Sequence, residues 1–234
     1  MNKLFFTLTI FFSFFCNGQT QKTIGKFRAG ITAGLAVSDI NGTDARDTDN
    51  DFHKVGLIGG LLVNTNVSKK DVLQLEINYV QAGSLQPPDS LNNGYSNISL
   101  SYIEIPLVIK HRVNFSIRKK PVDKLDLEAG FSFGQLISQK VIGASNYLVY
   151  GSNALYNKTI ASLVVGADYN ISNNFYFCLR YSNSFIPAIK RNPLNISTIT
   201  YTFNRGNSMV LQLSFKYIFE AKKTESIPKA AETQ

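Results

Sequence analysis

Residues 99–112 read SLSYIEIPLVIKHR. Ile103, Ile105, Leu107 and Ile109 fall on one phase, and Tyr102, Glu104, Pro106, Val108 and Lys110 on the other. Successive side chains of a strand point to opposite faces. One face is therefore an aliphatic stripe, while the other carries a carboxylate, a proline and an ammonium. Seven further segments repeat the alternation: residues 27–38, 54–66, 72–82, 125–138, 159–171, 175–184 and 208–219. In the first, Phe27, Ala29, Ile31, Ala33, Leu35 and Val37 oppose Arg28, Gly30, Thr32, Gly34, Ala36 and Ser38. In the last, Met209, Leu211, Leu213, Phe215, Tyr217 and Phe219 oppose Gln212, Ser214 and Lys216.

The connections alternate too. They are long after the first, third, fifth and seventh segments (residues 39–52, 83–97, 139–158 and 187–207). After the second and sixth they are short (residues 67–70 and 172–174), and residues 114–123 form a basic connection with Arg118, Lys119 and Lys120. Up-and-down outer-membrane barrels carry short periplasmic turns and longer surface loops. An even strand number then puts both termini in the periplasm. The segments are 10–14 residues long, enough for a tilted strand to cross a bilayer.

Alternation alone does not say which face meets lipid, because a soluble eight-stranded barrel also alternates, with its apolar face inward. The polar phase decides. It is rich in Gly30, Gly34, Gly56, Gly60, Gly130, Gly134 and Gly166, with Ser132 and Ser162. Small residues suit a crowded lumen that has room only for its own side chains. Its few charges, Arg28, Glu76, Glu104, Lys110, Glu128, Arg180 and Lys216, are of both signs and are expected to form an ion-paired structural network inside the barrel. The sequence therefore predicts an all-β, eight-stranded, antiparallel up-and-down transmembrane β-barrel. In lipid only a closed sheet satisfies every backbone group. Pro106 removes one ladder donor, so a bulge or a lumen water is expected there.

The ends of the chain read differently. Residues 1–18 combine Lys3 with an apolar run and a small-residue cleavage pattern, as in an export signal. Residues 19–26 are a short leader to the barrel at 27–219, and residues 220–234 are a charged tail without periodicity, expected to be disordered and periplasmic. Without residues 1–18, 216 residues remain and the formal charge falls from +8 to +7. The basic excess lacks the clustered stripe of a nucleic-acid binder, so lipid phosphates are the expected anionic neighbours. Cys178 alone remains, which excludes an internal disulfide.

Chemistry-bearing residues are sparse. Asp39, Asp44, Asp47, Asp49 and Asp51 crowd one long connection but lack the glycine and terminal glutamate of a calcium loop, so no metal or cofactor is expected. His53 and His111 fall at opposite ends of their strands and cannot cooperate. An enzyme is not expected. The expected role is structural or interactive, in the envelope; the alternatives are a narrow passive pore through the lumen charges and a lipid-modifying barrel enzyme using His53. Residues 89–91, Asp-Ser-Leu, match a short O-glycosylation sequon. The barrel is expected to be monomeric, with outer-membrane lipid as a partner.

Residues 73–79 (LQLEINY) followed by 102–107 (YIEIPL), with the opening FRAGITAGL of 27–35, resemble the PorT-like outer-membrane barrel family of Bacteroidetes, a porin-like group. The motif positions here are Tyr102, Glu104, Ile105, Pro106 and Leu107, and the likeness spans residues 27–219. The resemblance implies an eight-stranded outer-membrane barrel linked to protein export by type IX secretion, and it alone adds secretion or envelope proteins as partners. It assigns no catalytic residue.

Overall fold

The computed structural model describes residues 27–41, 52–86, 96–117, 120–143, 156–189, 193–196, 199–202 and 206–219. The export signal, the residues before Phe27, the tail from residue 220, the sequon and the acidic residues 44–51 lie outside them.

Ten strands are present: β1 (Arg28–Asn41), β2 (Lys54–Asn66), β3 (Asp71–Gln86), β4 (Ser96–Ile117), β5 (Lys120–Gly143), β6 (Thr159–Ser172), β7 (Phe175–Ser184), β8 (Pro193–Ile196), β9 (Ile199–Thr202) and β10 (Asn207–Ile218). Eight of them close into a barrel in the order β1-β10-β7-β6-β5-β4-β3-β2, and every neighbouring pair is antiparallel. Strands β8 and β9 form a separate hairpin inside the connection between β7 and β10. The long connections share one rim and the short turns the other.

The alternation has the sense read from the sequence. Ile105, Leu107 and Ile109 are exposed on the outer face, whereas Glu104, Val108 and Lys110 of the same strand are buried inside. Strand β7 alternates the same way, with Tyr176, Cys178, Arg180, Ser182 and Ser184 inward. An apolar exterior of this extent would be costly in water, where buried apolar surface is worth about 25 cal/mol per Å². Facing lipid, it needs no cover. Near the short-turn rim the outer face carries linked rings: Phe175 with Phe215 and Tyr217, Phe177 with Phe215, and Tyr217 with Phe219 at centroid separations of 5.5–6.1 Å. That is where a headgroup girdle belongs.

Several boundaries differ from the sequence reading. The connection at 114–123 is largely strand, because β4 and β5 continue as a ribbon to Ile117↔Lys120 after a register shift between Val113 and Phe115. The connections at 83–97 and 139–158 are likewise entered by β3, β4 and β5, and 187–207 contains β8 and β9. Two strands that pair with each other need no barrel neighbour, so alternation in the wall does not mark where a ribbon stops. Pro106 causes no bulge. It still pairs with Ser132, while the β3–β4 ladder keeps one register on both sides of a gap opposite Ile105 and Pro106. A missing N–H removes a bond without inserting a residue. The β4–β5 ladder shifts register elsewhere, between Ser101 and Tyr102, where β5 carries the extra residue Ile137.

The lumen is filled. An apolar plug near the long-connection rim joins Ile40, Ile98, Leu100, Tyr102 and Ile160 to Tyr156, Ala188 and Ile189, which come from the connections. Those segments are stitched inward by Asn157 N to Ala188 O (2.8 Å) and Ala188 N to Gly206 O (2.7 Å). At the other end Leu62, Tyr176 and Ile218 meet. Gly30 makes room for them, since a Cβ there would lie 3.0 Å from Leu62 and 3.2 Å from the Ile218 backbone.

Candidate functional site

Charged side chains occupy the lumen between these apolar ends. Arg180 of β7 is 2% exposed and forks between two carboxylates. Its Nη1 and Nη2 donate to Glu76 at 2.9 and 2.7 Å, and its Nε and Nη2 donate to Glu128 at 2.6 and 3.1 Å. Lys216 Nζ donates to Asp168 at 3.1 and 3.2 Å and to Glu128 at 3.3 Å. Lys110 Nζ bonds Asp168 and lies 4.0 Å from Glu128. Gln74 and Asn78 donate their amide N–H groups to Glu76, Asn78 at 2.7 Å. Three cations and three carboxylates thus share one buried network that spans the bore from β3 to β7.

Register explains how they meet. Glu128 pairs with Gly166, and Gly166 pairs with Arg180. A Cβ on Gly166 would stand 2.8 Å from Glu128 Oε1 and 2.6 Å from the Leu179 carbonyl. The glycine is the gap through which the two charges join across β6. Paired and hydrogen-bonded, the ions avoid the cost of burying a lone charge, which runs to several kcal/mol.

Of the seven lumen charges read from the sequence, Glu76, Lys110, Glu128, Arg180 and Lys216 come together here. Arg28 does not. It is half-buried at the short-turn rim, where Nε donates to Asn64 and Nη2 to Asn66, each at 3.1 Å. It is the first residue of its strand, too far along the barrel to reach the middle. Glu104 is buried in the lumen but accepts from Ser132 Oγ at 3.1 Å rather than pairing with Lys110. Asp168 belongs to the network although sequence reasoning left it out. Its place on the inward phase of β6, opposite Cys178, was the available signal. Of the motif residues, Tyr102 and Glu104 line the lumen, Ile105 and Leu107 face outward, and Pro106 interrupts the ladder.

Catalytic geometry is absent among the described residues. His53 precedes β2 at the long-connection rim. His111 sits at the opposite rim, with Nδ1 2.7 Å from Asp71 Oδ1. Beside that turn, outside the lipid belt, the Ser68 hydroxyl and then the His111 ring hold the Asp71 carboxyl below the usual carboxylate range. Ligand atoms of Glu128, Asp168 and Cys178 lie within 4.8 Å of one another. Lys216 touches both carboxylates, Arg180 the first and Lys110 the second. Their charge is already matched by side-chain cations, so this donor set does not fit a metal.

The model of the outer membrane protein beta-barrel domain family matches residues 17–190. Ail, the attachment invasion locus protein of Yersinia pestis, aligns at 12% identity over 83% of this chain and 99% of its own, with a TM-score of 0.43. Neisserial surface protein A aligns at 12% identity over 85% and 100%, also at 0.43. OprG from Pseudomonas aeruginosa aligns at 14% identity over 83% and 95%, at 0.38. Among curated proteins none matches significantly.

Proposed function

The chain belongs to the outer membrane protein beta-barrel domain family, and from that premise we propose a sealed, non-enzymatic barrel that works through its two rims. On this reading the long connections face the surface, the short turns and both termini face the periplasm, and the barrel supports protein secretion in the manner of the PorT-like proteins it resembles. The observation that carries it is the filled bore. The ionic network is bounded by Ile98, Tyr102 and Ile189 on one side and by Leu62, Tyr176 and Ile218 on the other. A passive pore needs a continuous wet path, and buried ions held in fixed pairs do not supply one. A lipid-modifying enzyme needs a nucleophile beside a base, which the separation of His53 from His111 does not favour.

The test is deletion of the gene in its host, followed by comparison of the proteins released to the medium with those held in the periplasm. Secreted proteins should accumulate inside. An unchanged profile, with the barrel fractionating in the outer membrane, would overturn the secretion role and leave a general envelope barrel. In planar bilayers the purified protein should show no steady conductance, and a stable ion-selective current would overturn the sealed reading.

A further inference from the structure

We propose that the lumen holds one small alkali cation, of the sodium class, beside Glu104. Following register partners from Lys216 leads through Thr32, Gly60, Asn78, Glu104 and Gly134 to Ile160. This row climbs from the charge network to the apolar plug, as the strand tilt of a closed barrel requires. It carries a buried carboxyl group that the network does not pair. Glu104 is 5% exposed, its hydrogen bond is to the neutral Ser132 hydroxyl, and among the described residues no lysine or arginine lies within ion-pair distance of it.

A second observation sits in the same place. Thr32 Oγ1, Asn78 Oδ1 and Tyr102 Oη are buried and have no hydrogen-bond partner. Thr32 and Asn78 belong to the row, and Tyr102 lies two residues from Glu104 on the same face of β4. The row includes two glycines, whose lack of side chains lets the neighbouring polar groups close in on it. A Cβ on Gly60 would fall 2.2 Å from Asn78 Oδ1, and one on Gly134 would fall 3.3 Å from the Glu104 side chain.

Buried polar atoms without partners call for an ion or an ordered water, and a lone buried carboxylate calls for a positive charge. A proton on Glu104 would answer the charge but add only one donor, leaving most of the oxygens unserved. A cation with its remaining waters answers both needs. An all-oxygen donor set selects a hard ion. The single uncompensated negative charge selects a monovalent one.

The test uses the full barrel refolded in detergent and unfolded by urea in sodium, potassium or choline chloride at one ionic strength. Sodium should raise the unfolding midpoint above that in choline, by mass action on the folded form. Glu104→Gln should abolish the difference. Tyr102→Phe should keep it but raise the sodium concentration for half the effect about tenfold, as loss of one ligand contact would. Should Glu104→Gln fail to fold, the Tyr102→Phe shift decides. Equal midpoints in sodium and choline for the unaltered protein would overturn the proposal and leave Glu104 neutralised by a proton. An unshifted response in Tyr102→Phe would overturn it as well, because the ion would then not sit among these oxygens.

Discussion

The charged middle of the lumen and the apolar plug above it close the same bore by opposite means. The middle is built wholly from wall residues whose partners are fixed by strand register, as when Glu128 and Arg180 meet across Gly166. The plug mixes wall residues with Tyr156, Ala188 and Ile189, which the connections fold inward. Register is digital, since a slip of one residue turns every side chain to the other face. Inward-folded connections are held by ordinary packing and can collapse around a lost group. The two regions should therefore answer substitution differently.

The largest effect is expected from Arg180→Met, which keeps the length of the side chain and removes its charge. Glu76 and Glu128 would lose their fork, and breaking one partner of a buried ion pair costs about 3–5 kcal/mol. Urea unfolding of the refolded barrel reads it. A loss below about 1 kcal/mol would mean that water reaches the network and that the middle is not sealed as described.

In the plug, Ile189→Ala should cost about 2 kcal/mol, at the low end for such truncations because a connection can settle into the space. The conductance of this variant sharpens the comparison. The charge network still fills the bore below, so planar bilayers should stay silent. A current in Ile189→Ala alone would assign the seal to the plug and not to the ions.

This contrast also sets what could be read from the chain. The barrel, its strand count, the lipid-facing phase and most of the charged lumen were legible, because each follows from a period of two carried through eight segments. Lys110 and Arg180 were placed by phase alone. Partners were not, because phase says inward without saying at what height. Arg28 and Arg180 look alike in the pattern, yet one stands at a rim and the other in the middle. Asp168 is missed for the same reason, and phase alone does not tell that Lys110 stands beside Glu128 and not beside Glu104. The plug could not be read at all from Tyr156 or Ile189, which lie in connections with no alternation.

A smaller effect belongs to the place where β1 touches β3. Ser38 Oγ accepts from the Gly83 N–H at 2.9 Å and donates to the Gly83 carbonyl at 3.1 Å, tying β1 to β3. Gly83 has a φ of +154°, which suits glycine, and a Cβ there would run into the Ile98 carbonyl at 1.9 Å. Ser38→Ala leaves both backbone groups unmet and should cost about 1 kcal/mol. Amide exchange at Gly83 should quicken while that at Glu128 holds. Equal quickening at both sites would show that the two halves of the lumen open together.

The smallest effect lies outside the bore, at the turn of residues 67–70. Asp71 accepts from Ser68 Oγ at 2.5 Å and sits 2.7 Å from His111 Nδ1. Ser68 in turn accepts from the backbone N–H groups of Lys70 and Asp71 at 3.1 and 3.0 Å. The folded carboxyl is therefore held below its unfolded value. A group lowered in this way stabilises the fold fully above the unfolded value, near pH 4, and the contribution is lost as pH falls through the folded one. Asp71→Asn should thus unfold slightly earlier than the unaltered barrel at pH 7, and the gap between their urea midpoints should close as the pH is lowered toward 3. Added salt should narrow it as well, because the pair is exposed and screened. A gap that stays constant with pH would mean that Asp71 acts through the shape of its hydrogen bonds and not through its charge. The turn would then resemble the plug more than the ionic middle.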